Sequence, residues 1–301
     1  MNEKKIIEVI EFTDPVCTWC WGSEPMLRKL ETVYKDNIKV SFVMGGLVRD
    51  IREFNDPANG IGGDPIQANK NIALHWEEAS KHHGMPVNAE DFNLFSDEYP
   101  SSYPQNIAYC AARMEDEELA NRYLRLLREE TIVFGRQTNR KAVLIELAND
   151  IGLDIVQFIE RLDDGSAEAA FNHDLNFIRA YRVMGFPTFL VRYGDNELLL
   201  RGYQSFQRMQ AVINSMTDGE IQPQEVEVNE QEIIAFVSKY LRVALVEIQA
   251  AFNITKEVAE EYVNQLFEKK IFKKNVIGNG YFIEINDKLV CDPITGICTS
   301  I

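Results

Sequence analysis

Asp14-Pro15-Val16-Cys17-Thr18-Trp19-Cys20-Trp21-Gly22 is the stretch whose reading decides the fold. It follows the apolar run Ile6-Ile7-Glu8-Val9-Ile10-Glu11-Phe12 and opens a helix-like segment over 21–34. Two cysteines one turn apart therefore stand where a strand hands over to a helix. A cysteine at a helix N-terminus meets unpaired backbone N–H groups and the positive end of the helix dipole, and such thiols titrate at roughly 3.5–7.5 instead of about 8.5. The second cysteine can close or release a disulfide. Zinc accepts the same spacing but normally needs a second ligand pair, and no second C-x-x-C or H-x-x-x-H occurs. Redox chemistry is preferred to metal, and no metal is expected.

Far downstream, Met184-Gly185-Phe186-Pro187-Thr188-Phe189-Leu190-Val191-Arg192-Tyr193 reads as a short strand introduced by proline. Proline in a sheet is tolerated at a strand's start or edge, and X-Pro is the bond that takes the cis form at modest cost. On these two stretches the chain resembles the DsbA branch of the thioredoxin superfamily, in which a cis-proline loop packs beside the C-x-x-C. The resemblance implies that Cys17 is the nucleophile and Cys20 the resolving thiol. It makes Phe186-Pro187 the loop whose backbone pairs with an incoming peptide or mixed disulfide, and its proline keeps metal away from the thiols. Glu11, six residues before Cys17, matches a proton relay beneath the active site. A solvent-facing glutamate on an edge strand is the alternative, and both readings stay open. No dissociable cofactor is implied.

The 301 residues, 46% of them hydrophobic, suffice for one large or two moderate domains. The opening residues run straight into strand-like sequence without an apolar signal core, and no stretch approaches the roughly 18–20 apolar residues that span a bilayer. A cytoplasmic location is expected. Five cysteines are too sparse for a disulfide scaffold and, in a reducing compartment, point to catalytic or redox-sensing use. A net charge of −16 disfavours nonspecific attachment to nucleic acid or anionic lipid, both polyanions.

Ile38-Lys39-Val40-Ser41-Phe42-Val43-Met44, ended by Gly45-Gly46, reads as a second strand and completes a βαβ start. From about 65 to 181 strand periodicity gives way to helical spacing, as at 106–114, 119–130 and 142–150. Thr138-Asn139 is the expected N-cap of the last of these and Gly152 its stop. The strand at 186–193 and the run 197–202 form a hairpin, and 206–216 a closing helix. The fold expected is thus α/β, with residues 1–217 a DsbA-like thioredoxin domain carrying a helical insertion. Asp14 to Gly22 and Gly45-Gly46-Leu47 most resemble the cytoplasmic FrnE-like dithiol-disulfide isomerases and the 2-hydroxychromene-2-carboxylate isomerases. Thr18-Trp19 replaces the Pro-His of periplasmic members, and the dipeptide helps set which way electrons flow.

Residues 218–229 read as a polar linker and 230–301 as a small C-terminal domain and tail. Helices at 230–240, 244–252 and 256–270, with a turn at Asn253 and Thr255 as cap, precede a hairpin about Gly278-Asn279-Gly280. That pattern is winged-helix-like. Lys256, Lys269 and Lys270 are outweighed by Glu257, Glu260, Glu261 and Glu268, so packing or partner binding is expected in place of DNA. A DsbA-like module with such a tail also resembles the SpxH/YjbH-like adaptors, which present the regulator Spx to the ClpXP protease and need not turn over as oxidoreductases.

Thr18, Trp19 and Phe186 are the substrate-binding candidates. Trp19, Trp21 and Phe186 together form an aromatic rim suited to an apolar peptide or a thiol-bearing small molecule, with Trp21 the one more apt to pack inward. Cys291 and Cys298 flank a Pro/Gly turn, either as a secondary redox pair exchanging with Cys17 or, as preferred, as two separate thiols on a mobile end. Cys110 reads as a core residue. His75, His82, His83 and His173 read as solvated or local hydrogen-bonders. Gly60-Ile61-Gly62-Gly63-Asp64 lacks the strand and the Lys-Ser/Thr of a phosphate loop. The function expected is thiol–disulfide exchange through Cys17 and Cys20 on a disulfide- or thiol-containing protein or small molecule. An adaptor role through the C-terminal domain is the main alternative. A glutathione-dependent isomerase ranks third, because those enzymes generally carry serine at the position of Cys17.

Overall fold

The computed structural model describes residues 6–90 and 92–300. Strand β1 (Ile7–Thr13) leads through a tight turn into α1 (Thr18–Trp21) and α2 (Glu24–Tyr34), and one 3-10 turn later into β2 (Ile38–Met44). The single helix expected over 21–34 is broken at Gly22-Ser23, because Pro25 sits in the first turn of α2 and lacks the N–H that would continue the ladder. Gly22 has a further reason to be glycine: a Cβ there would lie 2.4 Å from the His83 ring.

Six helices follow: α3 (Pro65–His83), α4 (Tyr103–Arg113), α5 (Glu117–Arg128), α6 (Lys141–Asp150), α7 (Ile155–Asp163) and α8 (Ser166–Ala180), with a π-helical turn extending α5 through Glu129–Val133. Asp64, not a phosphate site, caps α3 by accepting from Gln67 N. The expected cap of α6 is corrected, since Arg140 occupies that position and its side chain makes no capping bond to the helix. Thr138 Oγ1 is engaged instead with Gln105 and Thr131, and Asn139 donates to Leu94 O and Tyr99 O. Gly152, at φ +85°, follows the end of α6 in the left-handed conformation that suits glycine.

Strands β3 (Thr188–Tyr193) and β4 (Asn196–Arg201) return the chain to the sheet before α9 (Phe206–Met216), giving the order β2-β1-β3-β4. β1 pairs parallel with β2 and antiparallel with β3. Glu11 is therefore on a central strand and fully buried, which removes the edge-strand reading. One face of the sheet packs with α2, α4 to α8 and α9 in a large core around Tyr34, Tyr109, Tyr123 and Phe189.

The C-terminal unit comprises α10 (Glu230–Tyr240), β5 (Arg242–Ala244), α11 (Leu245–Phe252), α12 (Lys256–Glu268), β6 (Phe272–Ile277) and β7 (Gly280–Ile285), followed by β8 (Leu289–Cys291) and β9 (Cys298–Ser300). Thr255 caps α12 by accepting from Val258 N, and Asn253 is left-handed. Cys291 and Cys298 face each other across β8 and β9 and are joined in a disulfide, which corrects the preferred reading of two separate thiols. The turn between them is organised by Asp292, whose Oδ1 accepts from Ile294 N and Thr295 N, so the strands are held in register.

This unit is docked, not merely tethered. Helix α11 lies along α2, Lys29 Nζ donates to Asn253 Oδ1 at 2.7 Å, and Phe282 packs edge-on against Trp21 at 6.3 Å. The tip of the β6–β7 hairpin reaches the last turn of α3 and the loop after it: Asn279 Nδ2 donates to Ser80 Oγ, and Val87 N donates to Asn279 Oδ1. Gly278 has φ +53° and sits so close that a Cβ would fall 2.0 Å from Val87 O. Gly278→Ala is expected to lift this tip and lower stability by about 1–3 kcal/mol. Urea unfolding checks it, and an unchanged midpoint would show that the tip does not hold the units together.

Candidate active site

Cys17 occupies the N-cap of α1 in extended conformation, and its Sγ accepts from Cys20 N at 3.2 Å. Both are free thiols. The turn that delivers them is built on Asp14, which is fully buried. Its carboxylate accepts from Val16 N, Leu47 N, Ser102 Oγ and Asn106 Nδ2, pinning the cysteine turn to the loop after β2 and to the start of α4.

Beneath the pair lies a carboxylate. Cys20 is 0% exposed, and its thiol is pushed well above the ordinary range by burial first and then by Cys17 and Glu11. Burial also raises Glu11 from 4.5 to about 7, against the lowering pull of Arg128. Glu11 Oε2 meets Arg128 Nη2 at 3.3 Å, while its Oε1 is buried with no hydrogen-bond partner among the described residues. Arg128, fully buried, also holds Glu24 Oε1 and Thr13 Oγ1. For Glu24, burial works against the charge, but Arg28, Arg125 and Arg128 together outweigh it and hold the group at about 2. A carboxyl near 7 beside a raised thiol is matched to taking up or returning a proton at neutral pH.

Thr18 is buried, and its Oγ1 lies 3.5 Å from His83 Nε2. Met85 N donates to His83 Nδ1, so the proton of the ring is assigned to Nε2. His83 is buried, so of its two readings it takes that of a local hydrogen-bonder and not a solvated side chain, and burial lowers it to about 4, leaving the ring neutral. Trp21 is fully buried and donates to Pro86 O, as its inward reading requires. Trp19 is half-buried against His82, His83 and Tyr203.

The Phe186–Pro187 bond is cis. Phe12 pairs with Thr188, so this loop ends beside the strand that leads to Cys17. The Phe186 ring lies over Gly45, where a Cβ would fall 2.1 Å from it. Phe186 and Gly185 form one wall of a cleft of about 290 Å³ whose other walls include Cys17, Thr18, Trp19 and Trp76. A larger cavity of about 520 Å³ lies between the two units and has neither cysteine in its walls. The structure thus brings Cys17, Thr18, Trp19 and Phe186 to one cleft, with Cys20 and Glu11 stacked behind it. The disulfide-bonded Cys291 and Cys298 belong to the C-terminal unit and are not among the cleft's lining residues. Cys110 is a core residue whose thiol is pushed up by burial.

Arg128 and Glu24 were missed from sequence, as was the anchoring role of Asp14. A signal existed for the first: Leu124, Arg125, Leu127 and Arg128 share the buried face of α5, and arginines among leucines on one face need buried partners.

Alkylation at mildly acidic pH is expected to label Cys17 before Cys20, since Cys20 is sealed and its thiol raised. Peptide mapping checks the order, and equal or reversed labelling would remove the assignment of Cys17 as nucleophile.

A thioredoxin-like sheet interrupted by helices, with a dithiol at a strand-to-helix turn and a cis-proline loop across the cleft, defines the class. The family profile described as Thioredoxin matches residues 11–211, and the chain belongs to that family. Among solved structures it resembles a putative protein disulfide isomerase from Nitrosomonas europaea, with 18% identity, TM-score 0.59 and coverage of 71% of this chain and 99% of that one. The cytosolic disulfide reductase DsbM from Pseudomonas aeruginosa gives 21%, 0.54, 70% and 98%. At these identities the likeness speaks for the fold. Among curated proteins, the ClpXP adapter protein SpxH of Halalkalibacterium halodurans is 25% identical over 273 residues, 89% of this chain and 85% of that protein. SpxH of Bacillus subtilis is 24% identical over 276 residues, 90% and 87%. Among the described residues no helix is long and apolar enough to cross a membrane.

Proposed function

We propose that the chain is a thiol–disulfide oxidoreductase acting through Cys17 and Cys20. The observation that carries this reading is the stack of Cys17, Cys20 and a buried Glu11 shifted to about 7 behind one cleft. The Cys17 thiolate attacks a substrate disulfide, forming a Cys17–substrate mixed disulfide and releasing one substrate thiolate. Cys20 then passes its proton to the Glu11 carboxylate and attacks Cys17 Sγ. The second substrate thiolate leaves, and the two electrons that reduced the substrate are those lost in forming the Cys17–Cys20 disulfide. The reverse sequence oxidises a dithiol. Thr18, Trp19 and Phe186 flank the attacking sulfur, and the backbone of the Phe186-Pro187 loop holds the mixed disulfide. The reading includes a cytoplasmic setting, where a reducing pool returns the pair to the dithiol.

The test is reaction of the reduced chain with a model peptide disulfide. Loss of the peptide disulfide matched by one Cys17–Cys20 disulfide supports the reading, and exchange no faster than that of Cys17→Ser defeats it.

A second reading is an adapter of the kind named for the SpxH proteins. What favours it is extent: those alignments cover 89% and 90% of the chain, into the C-terminal unit, whereas the disulfide isomerase and reductase cover 71% and 70%. On that reading the docked C-terminal unit presents a partner protein and the dithiol is dispensable.

A further inference from the structure

The docked C-terminal unit reaches the thiols through a ladder of alternating charges. Glu11, beneath Cys20, pairs with Arg128, and Arg128 pairs with Glu24. Glu24 Oε2 is shared with Arg28 at 2.9 Å and Arg125 at 3.4 Å. Arg125 ends the ladder in Glu247 of α11: its Nη1 and Nη2 donate to the two Glu247 oxygens at 2.9 Å each. Glu11, Arg128 and Glu247 are all 0% exposed, so their mutual attractions are little screened by solvent. Glu247 is itself fixed by Ala244 N, which donates to its Oε2, and Arg28 Nε approaches its Oε1 at 3.7 Å. Arg125 Nε also meets Glu129, which Arg242 holds from the other side.

We infer that Glu247 is a positioning residue for the dithiol: by fixing Arg125 it sets how firmly Glu24 binds Arg128, and hence how much of Arg128 is left for the carboxylate under Cys20. This deepens the exchange reading and rests on it. The C-terminal unit then belongs to the redox centre, and removing residues 222–301 would change the chemistry as well as any partner binding.

The sign follows from charge. With Glu247 neutral, Arg125 draws more of Glu24, Arg128 turns to Glu11, and the ladder carries one extra positive charge; each change favours ionised Glu11. Glu247→Gln keeps an oxygen that accepts from Arg125 and Ala244 N. In the full-length dithiol chain, carbon-13 NMR titration of the Glu11 carboxyl is expected to move down in Glu247→Gln by on the order of half a pH unit to one unit. Arg125→Gln is expected to move it up, and the pair Arg125→Gln/Glu247→Gln to bring it back near the wild-type value. A general loosening of the fold would shift all three variants in one direction. That pattern, or a Glu11 unmoved in both single variants, overturns the inference. If one single variant does not fold, the sign of the shift in the other decides. The titration needs no turnover, so an inactive chain with the expected order of shifts defeats the exchange reading alone. An active chain without them defeats this inference alone.

Discussion

Arg128→Ala is expected to lower stability by about 3–5 kcal/mol, because it strands buried acidic partners instead of removing a balanced pair. Arg128 is 0% exposed and holds Glu11, Glu24 and Thr13 at once. Glu24 retains Arg28 and Arg125, so the larger injury falls on Glu11, which is ion-paired with Arg128. The loss should depend on pH. Glu11 is raised when folded, from 4.5 to about 7, so the stability linked to its neutral form is fully present below about 4.5 and is lost as pH rises through 7. Without Arg128 the ionised form is worse still, and the variant should lose more at pH 8 than at pH 5. Denaturant unfolding at the two values checks this. An equal loss at both would mean that Arg128 acts through packing and not as the counter-charge of Glu11.

Replacing both Cys17 and Cys20 by Ser is expected to reduce disulfide exchange by about three orders of magnitude or more, since the nucleophile and its resolving partner act as one unit. The fold should survive. A serine Oγ at position 17 can still accept from the residue 20 N–H that Cys17 Sγ now caps, and both cysteines are small. Cys20→Ser alone should accumulate mixed disulfides on Cys17, visible as reducible adducts. Should exchange be absent in the wild type while the double variant still binds a partner through an intact C-terminal unit, the adapter reading takes over. The stoichiometric peptide-disulfide reaction and a binding assay on the same preparations separate the two.

How much of this was legible in residues follows from how local each signal is. The cysteine spacing at a strand-to-helix turn, the proline opening β3 and the βαβ start are short-range patterns, and they located the family, the cysteine pair and the Phe186-Pro187 loop. Residues 38–44, 206–216 and 230–240 took the expected elements because periodicity and flanking turns agreed there. The cap of α6 was misplaced because Thr138 and Asn139 found better partners in tertiary contacts than in the helix start.

The rest depended on the tertiary structure. Glu11 reads alike as relay or surface carboxylate until sheet order puts β1 in the middle and burial raises its pKa. Arg128 is 117 residues from Glu11 and 104 from Glu24 in sequence, and His83 is 65 from Thr18. Sequence alone determined which residues could perform exchange. Packing decided which carboxylate lies under Cys20, which guanidinium restrains it and how the C-terminal unit reaches both, because desolvation and charge pairing depend on three-dimensional distance and not on position along the chain.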